Sequence, residues 1–329
     1  MDKKIKINYV GFWKTYNYEN LTIHQILKKH YDLEISDNPD YLICSCFDNR
    51  HYNYPNTVKI FYTGENISTD FNTYDYGLDF DDYEFFDRHY RMPVYIINSE
   101  QIEIMHKMLE KHLHAEESFK EKDAFCSFVY SHDVQFRNEF FDELSKYKQV
   151  DAGGKSRNNV QIGPGQQDKV IFEKRHKFAI AFENMSRRGY ITEKLVNSFA
   201  TGTIPIYWGA VNVDKYFNPK AMIHIKSPDD IPQAIARIKE LDQNDDLYME
   251  MLKQPACLPE QQKYHEELVP NLEKFLCHIF DQPLNKAGRR NYNQNYVDIL
   301  KKPPVPVEVK QGETRGLFTR IKVFLKSFH

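Results

Sequence analysis

The chain alternates short apolar runs with stretches of helical spacing over most of its length. Runs typical of buried strands lie at residues 5–10, 41–45, 58–62 and 94–97. Apolar residues at helical spacing separate them, as at Ile23, Ile26 and Leu27 and again at Met105 and Leu109. A second series predicts strands at residues 124–130, 178–182, 204–208 and 222–225, with helices at 137–147, 231–241, 247–252 and 260–280. Such alternation is typical of βαβ units, so the pattern predicts an α/β protein.

The two series predict two domains, residues 1–150 and 151–300, followed by a segment of different character at 301–329. That segment opens with the stiff sequence Pro303-Pro304-Val305-Pro306. Its last part, residues 317–329, places apolar residues on one helical face and adds basic residues, which predicts an amphipathic tail on an anionic membrane surface. Docking of this helix on the protein body, or on another chain, is the alternative.

Composition narrows the class of protein. The formal net charge is −3, which gives no electrostatic footprint for nucleic-acid binding. The chain has no Gly-x-Gly-x-x-Gly or Walker loop, which argues against a dinucleotide oxidoreductase or a P-loop enzyme. Five cysteines without paired spacing predict reduced thiols, and the first residues lack an apolar leader or anchor. We therefore expect a cytoplasmic enzyme.

The most informative segment runs from Phe182 to Leu195. Helical spacing places Tyr190, Glu193 and Lys194 on one face, at the N-terminal end where the helix dipole favours anions. A diphosphate would suit that position. By spacing alone, an ordinary amphipathic helix with a Glu–Lys surface pair is the better explanation.

The identity of the residues in this segment favours a binding site over an ordinary amphipathic helix. Phe182-Glu183-Asn184, Gly189-Tyr190-Ile191-Thr192-Glu193-Lys194 and Ile204-Pro205-Ile206-Tyr207-Trp208-Gly209 resemble the donor-binding signature of the α1,3-fucosyltransferases of glycosyltransferase family ten. The likeness is greatest to bacterial Lewis-antigen enzymes of the Helicobacter type. It extends to Tyr62-Thr63-Gly64-Glu65-Asn66, Arg88-His89-Tyr90-Arg91-Met92-Pro93, Arg137-Asn138-Glu139-Phe140-Phe141 and Phe217-Asn218-Pro219-Lys220.

The resemblance implies a GT-B architecture, in which an acceptor-binding Rossmann-like domain at residues 1–150 and a GDP-fucose-binding Rossmann-like domain at residues 151–300 face a central cleft. It also implies roles for individual residues. Glu65, after the strand predicted at 58–62, would be the base that takes the acceptor proton; alone, such a Glu is more often a surface or capping residue. Arg137 and Lys194 would hold the diphosphate of GDP as it leaves. The expected substrate-binding residues are Asn184, Tyr190 and Glu193, with Gly154, Arg157 and Asn158 of a glycine turn.

Two arrangements invite a metal interpretation, but we expect no metal site. Asp79-Phe80-Asp81-Asp82 contains an Asp-x-Asp sequence, and His106, His112 and His114 lie close in sequence. The acidic run is predicted to be a solvated loop, and His112 and His114 point to different helical faces. In GT-B enzymes cationic side chains and a helix N-terminus replace the metal, so no cofactor is required; stimulation by Mn²⁺ or Mg²⁺ stays open.

The sequence therefore predicts inverting transfer of L-fucose from GDP-L-fucose to the GlcNAc 3-hydroxyl of an N-acetyllactosamine-type glycan. The product would be Lewis-x-like, as on a lipopolysaccharide O-antigen, made at the inner face of a bacterial inner membrane. One alternative is a GT-B transferase with another nucleotide sugar or linkage, including α1,4. The other is a catalytically silent glycan-binding protein.

Overall fold

The chain forms two parallel β-sheets with helices packed around them. The computed structural model describes residues 3–163 and 165–290, with the backbone alone for residues 166 and 167. The first sheet has six strands in the order β2-β1-β3-β4-β5-β6. They are Lys3–Val10 (β1), Tyr31–Ile35 (β2), Tyr41–Cys44 (β3), Val58–Tyr62 (β4), Tyr76–Asp79 (β5) and His89–Arg91 (β6).

The second sheet has five strands in the order β11-β10-β9-β7-β8. They are Ala124–Phe128 (β7), Val150–Ala152 (β8), His176–Phe182 (β9), Ile204–Trp208 (β10) and Ile223–His224 (β11). All pairings in both sheets are parallel. Parallel strands are buried on both faces, which explains why the central strands read as continuous apolar runs.

Helices cover the sheets and join them. They are Thr22–His30 (α1), Ser99–Glu110 (α2), Ala115–Lys120 (α3), Gln135–Ser145 (α4), Gln166–Lys174 (α5), Glu193–Ala200 (α6), Ile231–Gln243 (α7), Asp245–Leu252 (α8), Pro259–Asp281 (α9) and Leu284–Ala287 (α10). Leu195 and Val196 of α6 lie in the same buried cluster as Met105 and Met108 of α2. The helix that follows the loop of the predicted donor motif therefore packs against α2 as well as against its own sheet.

The last long helix returns to the first sheet. Lys3 Nζ donates a hydrogen bond to the carbonyl of Phe280, 2.6 Å away, and the Tyr31 hydroxyl donates one to Asp281 at 2.8 Å. The rings of Tyr41 and Phe280 stack with centroids 4.3 Å apart. Helices from both ends of residues 3–290 thus cover the first sheet.

Several predicted elements need correction. Residues 94–97 do not form a strand: Val94–Ile96 is a 3₁₀ helix after Pro93, with Tyr95 and Ile96 buried. The donor-motif helix begins at Glu193, with Thr192 as its N-cap, so Tyr190 precedes the helix. The pattern also missed four short strands, β2, β5, β6 and β8.

Residues 1–290 form one compact unit that contains both sheets, so the predicted boundary at residue 150 stays a prediction. The strand β7, upstream of that boundary, belongs to the second sheet. The predicted amphipathic tail at residues 317–329 lies outside the described residues. Among those that are described, no helix has the length and apolar character needed to cross a membrane.

Candidate active site

A cleft of about 750 Å³ opens at the carboxyl edge of the second sheet. Tyr130 and Ser131 follow β7, Gly153 and Gly154 follow β8, and Asn184 follows β9. Parallel α/β sheets bind ligands at this edge because the strand-to-helix loops converge there. The first turns of α4, α5 and α6 add the basic and acidic lining residues Arg137, Lys169, Glu193 and Lys194.

Arg137 brings a buried positive charge to the cleft. Its side chain stacks on the Tyr130 ring, 4.2 Å from guanidinium carbon to ring centroid, and Nε donates to the carbonyl of Phe182 at 3.2 Å. The residue is 4% exposed, and its Nη2 has no hydrogen-bond partner among the described residues. No carboxylate in the described part of the chain pairs with it. Because a buried unpaired charge is costly, this guanidinium is suited to an anion that enters the cleft.

Lys194 is held at the N-terminus of α6 by two carboxylates. Its ammonium lies 3.2 Å from Glu193 Oε1 and 3.4 Å from Glu183 Oε2. Glu183 is fully buried and accepts hydrogen bonds from the backbone nitrogen and hydroxyl of Thr192, at 2.8 and 2.7 Å. Glu183 therefore fixes the N-cap residue and Lys194 together.

The charges in this group shift one another's pKa values. Burial alone would lower the pKa of Lys194, but the charges of Glu193 and Glu183 outweigh it and raise that pKa. Burial opposes ionisation of Glu193, yet Lys194 and Lys169 lower its pKa to about 2. Burial raises the pKa of Glu183 despite the neighbouring Lys194. Lys194 thus stays charged at neutral pH and remains available to an anion.

The glycine turn after β8 lets the chain pass close to Tyr130. A Cβ on Gly154 would lie 2.1 Å from the Tyr130 carbonyl oxygen, so only glycine fits there. Asn158 closes the turn by donating from Nδ2 to the Gly154 carbonyl at 2.7 Å. The turn thereby keeps one wall of the cleft free of side-chain bulk.

Glu65 comes from the other sheet, in the turn that follows β4. Its backbone nitrogen donates to Thr63 Oγ1 at 3.0 Å, and its side chain is exposed. Burial raises the pKa of Tyr190, and the charges of Glu183 and Glu65 raise it further. Glu65 does not line the cleft itself.

Comparison with known proteins matches both halves of the chain. The model of the α-(1,3)-fucosyltransferase FucT N-terminal domain matches residues 7–98, and that of glycosyltransferase family 10 (fucosyltransferase) C-term matches residues 119–298. The chain belongs to glycosyltransferase family 10. The two parallel sheets and the structural matches below confirm the predicted GT-B-type α/β fold.

Two individual relatives illustrate the similarity. α-(1,3)-Fucosyltransferase FucT of Helicobacter pylori is 32% identical over 285 residues, which cover 75% of this chain and 59% of that protein. GDP-fucose protein O-fucosyltransferase 3 of Xenopus tropicalis is 34% identical over 126 residues, covering 36% of this chain and 27% of that protein. This chain thus spans less than two thirds of either relative.

Crystal structures of an α1,3-fucosyltransferase resemble most of this chain. The structure with GDP matches with a TM-score of 0.69 and 28% identity, covering 84% of this chain and 91% of that one. The structure with GDP-fucose matches with a TM-score of 0.67 and 27% identity over the same shares.

In this family 10 chain the structure brings most of the predicted site residues together. The cleft is lined by Arg137, Gly154, Asn158, Asn184, Glu193 and Lys194. Tyr190 is buried beside the cleft, with its ring edge-on to Phe80 at 4.9 Å. Arg157 has a φ of 51° and pairs with Asp142 at 2.6 Å, so its side chain does not line the cleft.

Two residues of the family 10 site were missed at the sequence level. Glu183 lies within the Phe182-Glu183-Asn184 motif. Its place in that motif was the signal that could have identified it, but the sequence predicts no role for it. Lys169 lies in α5, 3.7 Å from Glu173, and lines the cleft. A single lysine on a helix gives no signal in a sequence.

The acidic run of this family 10 chain is not the solvated loop that was predicted. Asp79 is buried and accepts from Thr69 and His89, and Asp81 is 8% exposed and accepts from Ser68. Asp82 pairs with Arg188 at 3.0 Å. These three carboxylates therefore bind neighbouring side chains, whereas the carboxylates of an Asp-x-Asp metal site would bind the metal.

Proposed function

We propose that this protein transfers L-fucose from GDP-L-fucose, with inversion, to the 3-hydroxyl of GlcNAc in an N-acetyllactosamine-type glycan. The observation that carries the proposal is the buried, unpaired guanidinium of Arg137 at the carboxyl edge of the second sheet. Together with Lys194 it offers two cations to a diphosphate at the N-terminus of a helix. Family membership and the GDP and GDP-fucose complexes of similar proteins support a GDP-sugar in this place.

The proposed chemistry assigns a role to each of these residues and to Glu65. The acceptor 3-oxygen forms a bond to the anomeric carbon of fucose as the bond from that carbon to the β-phosphate oxygen breaks. The proton of the acceptor hydroxyl passes to the Glu65 carboxylate, and the electron pair of the broken bond leaves on GDP. Arg137 and Lys194 stabilise the added charge on the diphosphate, which lowers the barrier to its departure. Glu193, whose pKa is lowered, is proposed to bind the ribose or the fucose, or to stabilise positive charge that develops on the sugar.

The proposal also includes the product and the linkage that the sequence predicts. A Lewis-x-like product on a lipopolysaccharide glycan follows from resemblance to bacterial relatives, and α1,4 transfer or another nucleotide sugar is the competing function. The cleft gives less support to the silent glycan-binding alternative, because binding of a neutral glycan does not require a buried guanidinium that has no carboxylate partner among the described residues.

The test is release of GDP from GDP-fucose by the purified chain, with and without N-acetyllactosamine, in the presence of EDTA. We expect release that depends on the acceptor and persists in EDTA. UDP-sugars in place of GDP-fucose test the other donors, and linkage analysis of the product separates α1,3 from α1,4. No release with any galactosyl-GlcNAc acceptor would refute the proposal.

Attachment to the membrane is a separate proposal that rests on the sequence of residues 317–329. We propose that this basic amphipathic segment holds the enzyme on the inner face of a bacterial inner membrane, beside lipid-linked glycans. The chain without residues 317–329 should lose co-sedimentation with liposomes that contain anionic lipid and retain turnover of a soluble acceptor. Equal sedimentation of both forms would count against this role.

A further inference from the structure

Arg187 connects the donor-motif loop to the turn that carries Glu65. It lies between β9 and α6 and takes no part in the chemistry proposed above. Its Nη1 donates to the carbonyl and to the side-chain oxygen of Asn66, at 3.3 and 3.2 Å. Its Nη2 donates to Ser68 Oγ and lies 3.4 Å from Asp81 Oδ1. One guanidinium thus holds both ends of residues 66–68.

The guanidinium is itself held in place. It lies over the ring of Phe80, 4.7 Å from the centroid, and Asp81 also accepts from Ser68. The side chain of Arg187 is 35% exposed, so water competes only partly for these contacts. A planar fork with several donors can satisfy Asn66, Ser68 and Asp81 at once, which the single ammonium of a lysine cannot do in the same geometry.

The carboxylate of Glu65 has no anchor of its own. Among the described residues it makes no hydrogen bond or ion pair through its side chain. Its direction is set by the turn, in which Glu65 N donates to Thr63 Oγ1 and Ile67 N donates to the Glu65 carbonyl at 2.8 Å. The contacts of Arg187 with Asn66 are therefore the nearest side-chain restraint that the second sheet places on Glu65.

We propose that Arg187 is a positioning residue, which fixes the Glu65 turn of the first sheet against the donor loop of the second. This inference rests on the proposed function, since it gives Arg187 a role in aiming the base. Base and donor are carried by different sheets, so transfer needs a fixed distance between them. An error of about 1 Å in such a distance costs roughly a hundredfold in rate.

The adjacent Arg188 provides a matched control. It lies in the same loop and carries the same charge, but its side chain is 64% exposed and its partner is Asp82, 3.0 Å away. Asp82 also accepts from Asn212, at 2.8 Å, and pairs with Lys215. Loss of Arg188 therefore leaves Asp82 with other partners and leaves the Glu65 turn untouched.

Kinetics test the inference directly. We expect Arg187→Ala to lower the kcat of transfer about tenfold to a hundredfold, with GDP-fucose affinity within about threefold of wild type. Arg187→Lys should recover only a small part of the loss, and Arg188→Ala should transfer at the wild-type rate. In a Glu65→Gln background, Arg187→Ala should cost less than about threefold, because residues that act as one unit are not additive. A full additional loss in that background, or normal turnover by Arg187→Ala, would overturn the inference.

Hydrogen exchange gives a readout that needs no turnover. Amides of residues 64–68 should exchange faster in Arg187→Ala than in wild type, and at the wild-type rate in Arg188→Ala. Unchanged exchange in Arg187→Ala would refute the positioning role even in a chain that transfers no fucose. Wild-type inactivity with the expected exchange pattern would instead refute the proposed function and keep the link between Arg187 and the turn.

Discussion

Replacing Arg137 by methionine should separate the cost of the guanidinium to the fold from its value to the ligand. Methionine is of similar length and can still pack on Tyr130. If GDP takes the place opposite Arg137, the substitution removes charge-assisted hydrogen bonds of about 1.5–3 kcal/mol. The Kd for GDP should then rise about 10- to 150-fold.

The effect of the same change on the ligand-free fold is expected to be small. The variant loses the bond to the Phe182 carbonyl and the stacking on Tyr130, worth together roughly 2–4 kcal/mol. It also relieves the burial of a charge that is 4% exposed and has no carboxylate partner, a penalty of several kcal/mol. These contributions oppose each other, so we expect the free energy of unfolding to change by no more than about 1 kcal/mol.

Titration calorimetry with GDP and urea denaturation without nucleotide measure the two quantities on the same samples. Arg175→Met is a suitable control, because Arg175 is 61% exposed and pairs with Asp123 at the surface. GDP affinity within twofold of wild type in Arg137→Met would refute the assignment of the diphosphate to this group. A loss of several kcal/mol of stability would refute the view that its burial is costly.

Three further predictions follow from the site. Glu65→Gln should bind GDP-fucose as wild type does but lose about 10²- to 10⁴-fold in initial transfer rate; normal transfer would remove Glu65 as the base. Arg157→Ala should leave GDP affinity within about twofold of wild type in calorimetry, because its partner is Asp142; a tenfold loss would restore its predicted binding role. The pKa of Glu193 is lowered from its ordinary 4.5 to about 2, so its contribution to stability is present above pH 4.5 and is lost as pH falls toward 2. Urea denaturation should accordingly show the gap between wild type and Glu193→Gln narrowing over that range, and a constant gap would contradict the assignment.

The central strands were predictable because buried parallel strands must be apolar on both faces. This is why β4 and β10 were located within their true bounds. The strands β5 and β6 contain glycine or charged residues, so they lack the apolar run that indicates a strand in the sequence, although they pair with consecutive strands of the chain. Residues 94–97 show the opposite case, since they are apolar but bury Tyr95 and Ile96 from a 3₁₀ turn after Pro93. Apolar residues in a sequence indicate that a segment is buried, but whether that segment pairs as a β-strand depends on its tertiary contacts.

Some residues of the candidate site could likewise be predicted from the sequence, and others could not. Arg137, Glu193 and Lys194 could be carried over from a motif, and the structure places all three at one cleft. Arg157 could not be judged from sequence, because its left-handed backbone directs the side chain to Asp142. Glu183 was overlooked because a sequence does not show that a carboxylate is fully buried beneath a helix N-terminus.

The return of α9 to the first sheet has a practical consequence for recombining relatives. Phe280 and Asp281 contact Lys3, Tyr31 and Tyr41, so part of the layer that covers the first sheet is encoded after the strands of the second sheet. A chimera with a single crossover between β6 and β7 would place a foreign first sheet against the α9 helix of the other parent. Exchange of the first sheet between family members therefore calls for two crossovers, so that residues 259–290 travel with that sheet.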